Sequence, residues 1–171
     1  MELRQNSPWP DLFRQAKRSA FHLEVRDTYA VPSESEPLRR FLAGEPRLND
    51  DEFWDSWGSL VRETTDRGVT VSRVRVVTVP LTDYQRWLLS ETGDNVAAGE
   101  DIRYLPRHRA GDVPQDDFWL FDDEVVGFNL VDAGGNPAGG AVTTDPGIAS
   151  HCQRVKERVW SLATPFADFR P

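Results

Sequence analysis

The sequence predicts an α+β fold, with helices packed on a mixed, mainly antiparallel sheet of five to six strands. Three observations support this prediction. Helical and strand patterns alternate along the chain, the chain closes with a meander of strands followed by a helix, and turn residues separate these segments. The length of 171 residues fits one domain, 1–171, and six Trp and nine Phe supply apolar surface for a core.

Helix start signals occur five times along the chain. They are Ser7-Pro8, the capping box Ser33-Glu34-Ser35-Glu36, Asn49 with Glu52, Thr82 with Gln85, and Asp145-Pro146. Gly44 and Gly68 are placed to end the second and third helices, and residues 95–99 predict a turn after the fourth. In the terminal helix, Cys152 falls on the apolar stripe, which predicts that it is buried in the core.

Strand patterns fill the intervals between the helices. Phe21, Leu23 and Val25 alternate with polar residues, and residues 69–79 are β-branched nearly throughout. A short strand is predicted at 102–105. Segments 118–121 and 125–131 flank the hairpin turn Asp122-Asp123, and a flexible loop over 134–140 leads to a last strand near 141–144. Asp116-Asp117 is interpreted as a solvated approach to a strand.

Charge and composition limit the classes of function. The net charge of −8 disfavours direct binding of nucleic acid, because an acidic surface repels phosphate backbones. The sequence shows neither a signal peptide nor a membrane span, and a single cysteine fits a reducing compartment, so a cytoplasmic protein is expected. His22, His108 and His151 match no metal-ligand spacing, and no metal, cofactor or assembled catalytic set is predicted.

Two arginines are the main candidates for a binding site. Arg73 and Arg75 lie two apart on the clearest strand, so both side chains leave the same face. They could clamp a carboxylate or phosphate with their planar guanidinium groups, or they could form internal salt bridges. Glu24 and the pair Glu100-Asp101 are the candidate partners in the second case.

Several motifs together resemble one protein family. They are Phe21-His22-Leu23-Glu24 with Tyr29, Val74-Arg75-Val76-Val77, Pro80-Leu81-Thr82-Asp83-Tyr84, Gly99-Glu100-Asp101-Ile102-Arg103-Tyr104 and Asp117-Phe118-Trp119-Leu120-Phe121-Asp122-Asp123. They are similar to the DUF6879 family of actinobacteria over nearly the whole chain. This resemblance implies genes encoded beside helix-turn-helix regulators and small partner proteins, and it implies no established activity. The ligand-binding candidates are Arg73, Arg75, Glu24, Glu100, Asp101 and Tyr84.

Two functions follow as expectations. The first is a non-enzymatic accessory protein of a regulatory locus, which binds a partner protein such as a helix-turn-helix regulator and a small anionic effector. The alternative is an enzyme, a hydrolase or phosphodiesterase, that uses Glu100 or Asp101 with Arg73 and Arg75 around an anionic substrate. The alternative requires these side chains to converge in an open pocket.

Overall fold

The centre of the fold is a mixed sheet, seen in a computed structural model that describes residues 1–47 and 52–171, without the side chains of 52–55. Within those residues there are eight strands and six α-helices. The strands are β1 Glu2–Arg4, β2 Ser19–Glu24, β3 Thr70–Val77, β4 Glu100–Pro106, β5 Phe118–Phe121, β6 Val125–Val131, β7 Pro137–Thr143 and β8 Thr164–Pro165. The helices are α1 Trp9–Gln15, α2 Ser35–Ala43, α3 Glu52–Asp66, α4 Asp83–Ala97, α5 Arg107–Ala110 and α6 Pro146–Leu162.

The strand order in the sheet is β1-β7-β6-β5-β2-β3-β4-β8. Strands β2, β3 and β4 run parallel, and the other neighbouring strands pair antiparallel. Each parallel pair needs a crossover: α2 and α3 connect β2 to β3, and α4 connects β3 to β4. This arrangement places β2 and β3 in the interior of the sheet.

The sheet has an apolar core on each face. One core packs α5 and α6 against residues such as Phe21, Leu23 and Val74. The other packs α1 and α3 against residues such as Val71 and Trp119, and α4 also lies on this face. Because β2 and β3 are covered on both faces, even most of their polar side chains are buried, namely His22, Glu24, Ser72, Arg73 and Arg75.

The sequence-based fold prediction is confirmed in class and wrong in strand number. The α+β class, the mixed sheet and the closing β5-β6-β7 meander followed by α6 are observed. The prediction of five to six strands missed β1 and β8, which have three and two residues. Segments this short carry no measurable alternation, so pairing with a neighbouring strand alone makes them strands.

The boundaries of several elements also differ from the predictions. Residues 134–140 do not form one flexible loop, because β7 already begins at Pro137 and its Gly140 pairs with Arg4 of β1. A Cβ at Gly139 would lie 2.2 Å from the Arg4 carbonyl oxygen, so glycine is required for this close pairing. The predicted turn at 95–99 begins too early, since α4 continues to Ala97.

Some of the predicted helix caps are observed, and others are not. Thr82 and Asp145 cap α4 and α6 as predicted, each accepting backbone N–H groups of the first turn. Ser33 does not cap α2, because it lies inside a 3₁₀ turn over Pro32–Glu34. The predicted cap at Asn49 lies outside the described residues. None of the helices within the described part of the chain has the length and apolarity needed to cross a bilayer.

Candidate functional site

A cavity of about 600 Å³ opens on the face of the sheet that carries α1, α3 and α4. Its floor is formed by polar side chains of the central strands, and aromatic rings line its walls. The floor residues are His22 and Glu24 of β2 and Arg73 and Arg75 of β3. The aromatic residues are Trp9, Trp57, Trp119, Tyr29 and Tyr84. The cavity is therefore an apolar cleft with charged groups at its base, as is common for small-molecule sites.

Strand register places the floor residues in two adjacent rows. In the first row, His22 lies opposite Trp119 on one side and Arg73 on the other. In the second row, Glu24 lies opposite Arg75. Alternate residues of a strand share a face, so both rows project into the same cavity.

The arginines are held by a network of buried ion pairs. Both Arg73 and Arg75 donate to the Glu24 carboxylate, the first through Nη1 and the second through Nε at 2.6 Å. Arg73 Nη2 donates to Glu100 at 2.9 Å. Arg75 Nη1 donates to Thr92 Oγ1 at 2.9 Å and to the Tyr104 hydroxyl at 3.0 Å. The predicted internal salt bridges are therefore present, and they leave both arginines facing the cavity.

Glu24 is the centre of this network. Burial acts to raise its pKa, but the guanidinium groups of Arg73 and Arg75 outweigh burial and hold the pKa well below its ordinary value. The carboxylate therefore stays ionised between the two arginines. Arg73 Nε is buried and has no hydrogen-bond partner among the described residues.

His22 is the most unusual group of the cavity. Its side chain is 5% exposed and stacks on the Trp119 ring, with ring centroids 4.1 Å apart. Neither ring nitrogen forms a hydrogen bond within the described residues, although Nδ1 lies 3.5 Å from Glu24 Oε1. Burial first, and then the charge of Arg73, lower the pKa of His22 well below its ordinary value. The imidazole is thus neutral at physiological pH.

Two tyrosine–carboxylate pairs lie near the wall of the cavity. The Tyr29 hydroxyl donates to Asp117 Oδ2 at 2.5 Å, and the Tyr84 hydroxyl donates to Glu34 Oε2 at 2.5 Å. Burial raises the pKa of Asp117 to about 6 and also raises the pKa of Glu34. Both carboxyl groups therefore hold a proton more readily than exposed acids do.

The structure brings most of the predicted ligand-binding residues together. Arg73, Arg75, Glu24 and Glu100 form the buried cluster, and Tyr84 lies on the cavity wall. Asp101 is not part of this group. It points to the opposite side of β4, where its exposed carboxylate lies 3.8 Å from Arg103.

Sequence reasoning missed two residues of the site. His22 was set aside because it has no metal-ligand spacing, yet it shares a face with Glu24 and could have been found from strand alternation. Asp117 was interpreted as solvated, but it is only 2% exposed because it accepts the Val25 N–H at 2.7 Å. By contrast, Cys152 is buried in the core as predicted, and burial raises the pKa of its thiol to about 11.

The sequence profile of a domain of unknown function, DUF6879, matches residues 7–171. The chain belongs to the DUF6879 family. This membership confirms the resemblance drawn from the motifs. A comparison of the DUF6879 chain with curated proteins finds no match.

Among solved structures, the DUF6879 chain is similar to Nuc from Salmonella typhimurium, a phospholipase D family member. The two share 12% sequence identity with a TM-score of 0.52, and the similarity covers 95% of this chain and 88% of that chain. At this identity the likeness establishes a common fold.

The prediction of a non-enzymatic accessory protein is corrected by this finding. Nuc, which shares the fold, is described as a phospholipase D family member, and this description is more consistent with the enzyme alternative than with an accessory protein. The geometry meets the requirement of that alternative only in part. Arg73 and Arg75 line the cavity, but both are buried and paired with acids. Glu100 does not line the cavity, and Asp101 points to the other side of β4.

Proposed function

We propose that this DUF6879 protein is a hydrolase of small anionic phosphodiesters, with His22 as its general base. The observation that carries the proposal is a neutral imidazole buried at the base of the cavity beside two arginines, whose ring nitrogens have no hydrogen-bond partner in the described part of the chain. The name of the similar structure, a phospholipase D family member, denotes phosphodiester hydrolysis and supports the same class of reaction.

The residues suggest a division of roles. His22 removes a proton from a water molecule whose oxygen attacks phosphorus, and the bond from phosphorus to the leaving oxygen breaks. The imidazolium that forms lies beside the ionised Glu24, 3.5 Å from Nδ1, whose charge favours it against the opposing effects of burial and Arg73. Arg73 and Arg75 stabilise the negative charge that grows on the phosphoryl oxygens.

The charge of the cavity disfavours a substrate with several negative charges. Glu24 and Glu100 balance Arg73 and Arg75, so the buried cluster carries no formal net charge. The cavity wall adds Glu34, Glu63 and Asp117 against Arg14, which disfavours polyanions. A phosphodiester monoanion fits this balance better than a phosphomonoester dianion does.

The proposal is tested with the purified protein and bis(4-nitrophenyl) phosphate, a monoanionic diester, by following release of 4-nitrophenolate. We expect turnover by the natural protein and a loss of about 10²- to 10⁴-fold in kcat/KM for His22→Ala, the usual contribution of a general base. His151→Ala is the matched control, because His151 is exposed on α6 and lies in the helix layer on the opposite face of the sheet.

Two results would overturn the proposal. One is the absence of hydrolysis by a folded natural protein with aryl phosphodiesters. The other is an equal rate for His22→Ala and His151→Ala, which would remove the imidazole from the reaction.

A further inference from the structure

We infer that Asp117 is the general acid of this site and protonates the oxygen that leaves phosphorus. The inference rests on the proposed function and assigns its second proton-transfer group. An aspartate next to the first residue of β5 gives no sequence signal for such a role, but the structure places it in the same cavity as His22.

The position of Asp117 follows from strand register. Leu23 of β2 pairs with Phe118, and His22 pairs with Trp119. Extending this antiparallel register by one residue brings Asp117 across from Glu24, in the row next to His22. Asp117 and Trp119 are two apart, so both face the cavity.

The Asp117 side chain is fixed in place. Its Oδ1 accepts the Val25 N–H at 2.7 Å, and its Oδ2 accepts the Tyr29 hydroxyl at 2.5 Å. These donors stabilise the carboxylate that remains after the acid has given its proton away. A second carboxyl group on the wall, Glu34, lies against Tyr84 and not against this row.

The proton balance of the reaction is complete with these two residues. His22 takes one proton from the attacking water while the phosphorus–oxygen bond to the leaving group breaks, and Asp117 gives one proton to the leaving oxygen. The products are an alcohol and a phosphomonoester. The proton on His22 then passes to solvent, and Asp117 regains one from solvent, so the enzyme returns to its starting state.

The surroundings of Asp117 suit an acid. The titratable and charged groups that face it are Tyr29, Glu24 and Arg26. Burial, helped by the charge of Glu24, raises its pKa to about 6, against the hydrogen bonds from Tyr29 and Val25 and the charge of Arg26. His22 is shifted in the opposite direction, and groups with pKa values pushed apart in this way form acid–base pairs.

The test compares two substrates that differ in the basicity of the leaving group, methyl 4-nitrophenyl phosphate and methyl phenyl phosphate. A 4-nitrophenolate leaves without help, whereas the more basic phenolate needs a proton. We expect Asp117→Asn to lower kcat/KM about 10²- to 10⁴-fold for the phenyl ester and only a few-fold for the nitrophenyl ester. Asp116→Asn is the control, because Asp116 is exposed and pairs with Arg26.

A second measurement does not depend on the folding of the variant. In the natural protein, kcat/KM for the phenyl ester should fall as the pH rises through about 6, while kcat/KM for the nitrophenyl ester should lack this fall. Equal losses for both esters in Asp117→Asn, or the same pH profile for both esters, would overturn the role of Asp117 and leave His22 as the base. Failure of the natural protein on both esters would instead refute the proposed function.

Discussion

At the scale of single residues, the site depends on one carboxylate that serves two buried arginines. Glu24 contacts both Arg73 and Arg75, and its side chain is only 11% exposed. Buried ion pairs contribute little net stability, but removing one partner leaves the other charge without compensation. The two arginines also supply the anion contacts of the proposed reaction, so their geometry depends on Glu24.

Replacing Glu24 by Gln tests this dependence. The change keeps the shape but leaves an excess positive charge in the buried cluster, so we expect the free energy of unfolding to fall by about 3–5 kcal/mol. Glu36→Gln is the matched control: Glu36 pairs with Arg39 at 2.8 Å on the surface, so its loss should lower the free energy of unfolding far less. Urea denaturation at neutral pH measures both, and equal losses would contradict the central role of Glu24.

The sequence was informative about this cluster for a simple reason. Strand alternation requires Arg73 and Arg75 to share a face, and a valine-rich strand is buried, so acidic partners were required. The same logic could not identify Asp117. Its burial comes from the pairing of β5 with β2 and from Tyr29, which are contacts between segments far apart in the chain.

At the scale of elements, local sequence signals predicted the structure correctly where one short segment determines it. Strands β5 and β6 were predicted with their observed bounds, because Asp122 and Asp123 form a turn with φ of 55° and 61°. Local sequence signals did not predict elements whose structure depends on packing between segments far apart in the chain. Strand β1 exists only because it pairs with β7, and the 3₁₀ turn before α2 displaces the expected cap at Ser33.

The predicted caps at Thr82 and Ser33 therefore differ in their expected contributions to stability. The Thr82 side chain accepts the Gln85 N–H at 3.2 Å and donates to the Asp27 carbonyl at 3.0 Å, so Thr82→Ala should lower the free energy of unfolding by about 0.5–2 kcal/mol. Ser33 is exposed and caps no α-helix, so Ser33→Ala should change it by less than about 0.5 kcal/mol. Thermal unfolding distinguishes the two variants, and a larger loss for Ser33→Ala would contradict the observed start of α2.

At the scale of the whole molecule, the site combines ionisable groups whose pKa values are shifted in opposite directions inside one cavity. The sheet makes this possible, because β2 and β3 are covered by helices on both faces and carry charged residues into the interior. Stability therefore depends on pH through groups that belong to the site. Asp117 and His22 have opposite effects between pH 4 and pH 7.

The direction in which each group changes stability with pH follows from the direction of its pKa shift. Asp117 has a pKa of about 6 in the folded chain and about 3.9 when unfolded, so the folded state holds its proton longer. Its contribution to stability is present below pH 4 and is lost as the pH rises to 6. The lowered pKa of His22 acts in the opposite sense, because the unfolded chain takes up a proton below about pH 6.5 and stability falls on acidification.

Comparing the natural protein with Asp117→Asn isolates the contribution of Asp117, since His22 titrates in both. A shift of about two pKa units corresponds to roughly 3 kcal/mol at full titration. We expect the free energy of unfolding of the natural protein, minus that of the variant, to decrease by up to this amount between pH 4.5 and pH 7. Urea denaturation across this range measures the difference. A difference that stays constant with pH would mean that Asp117 titrates like an exposed aspartate, and it would also remove the physical basis for its role as an acid.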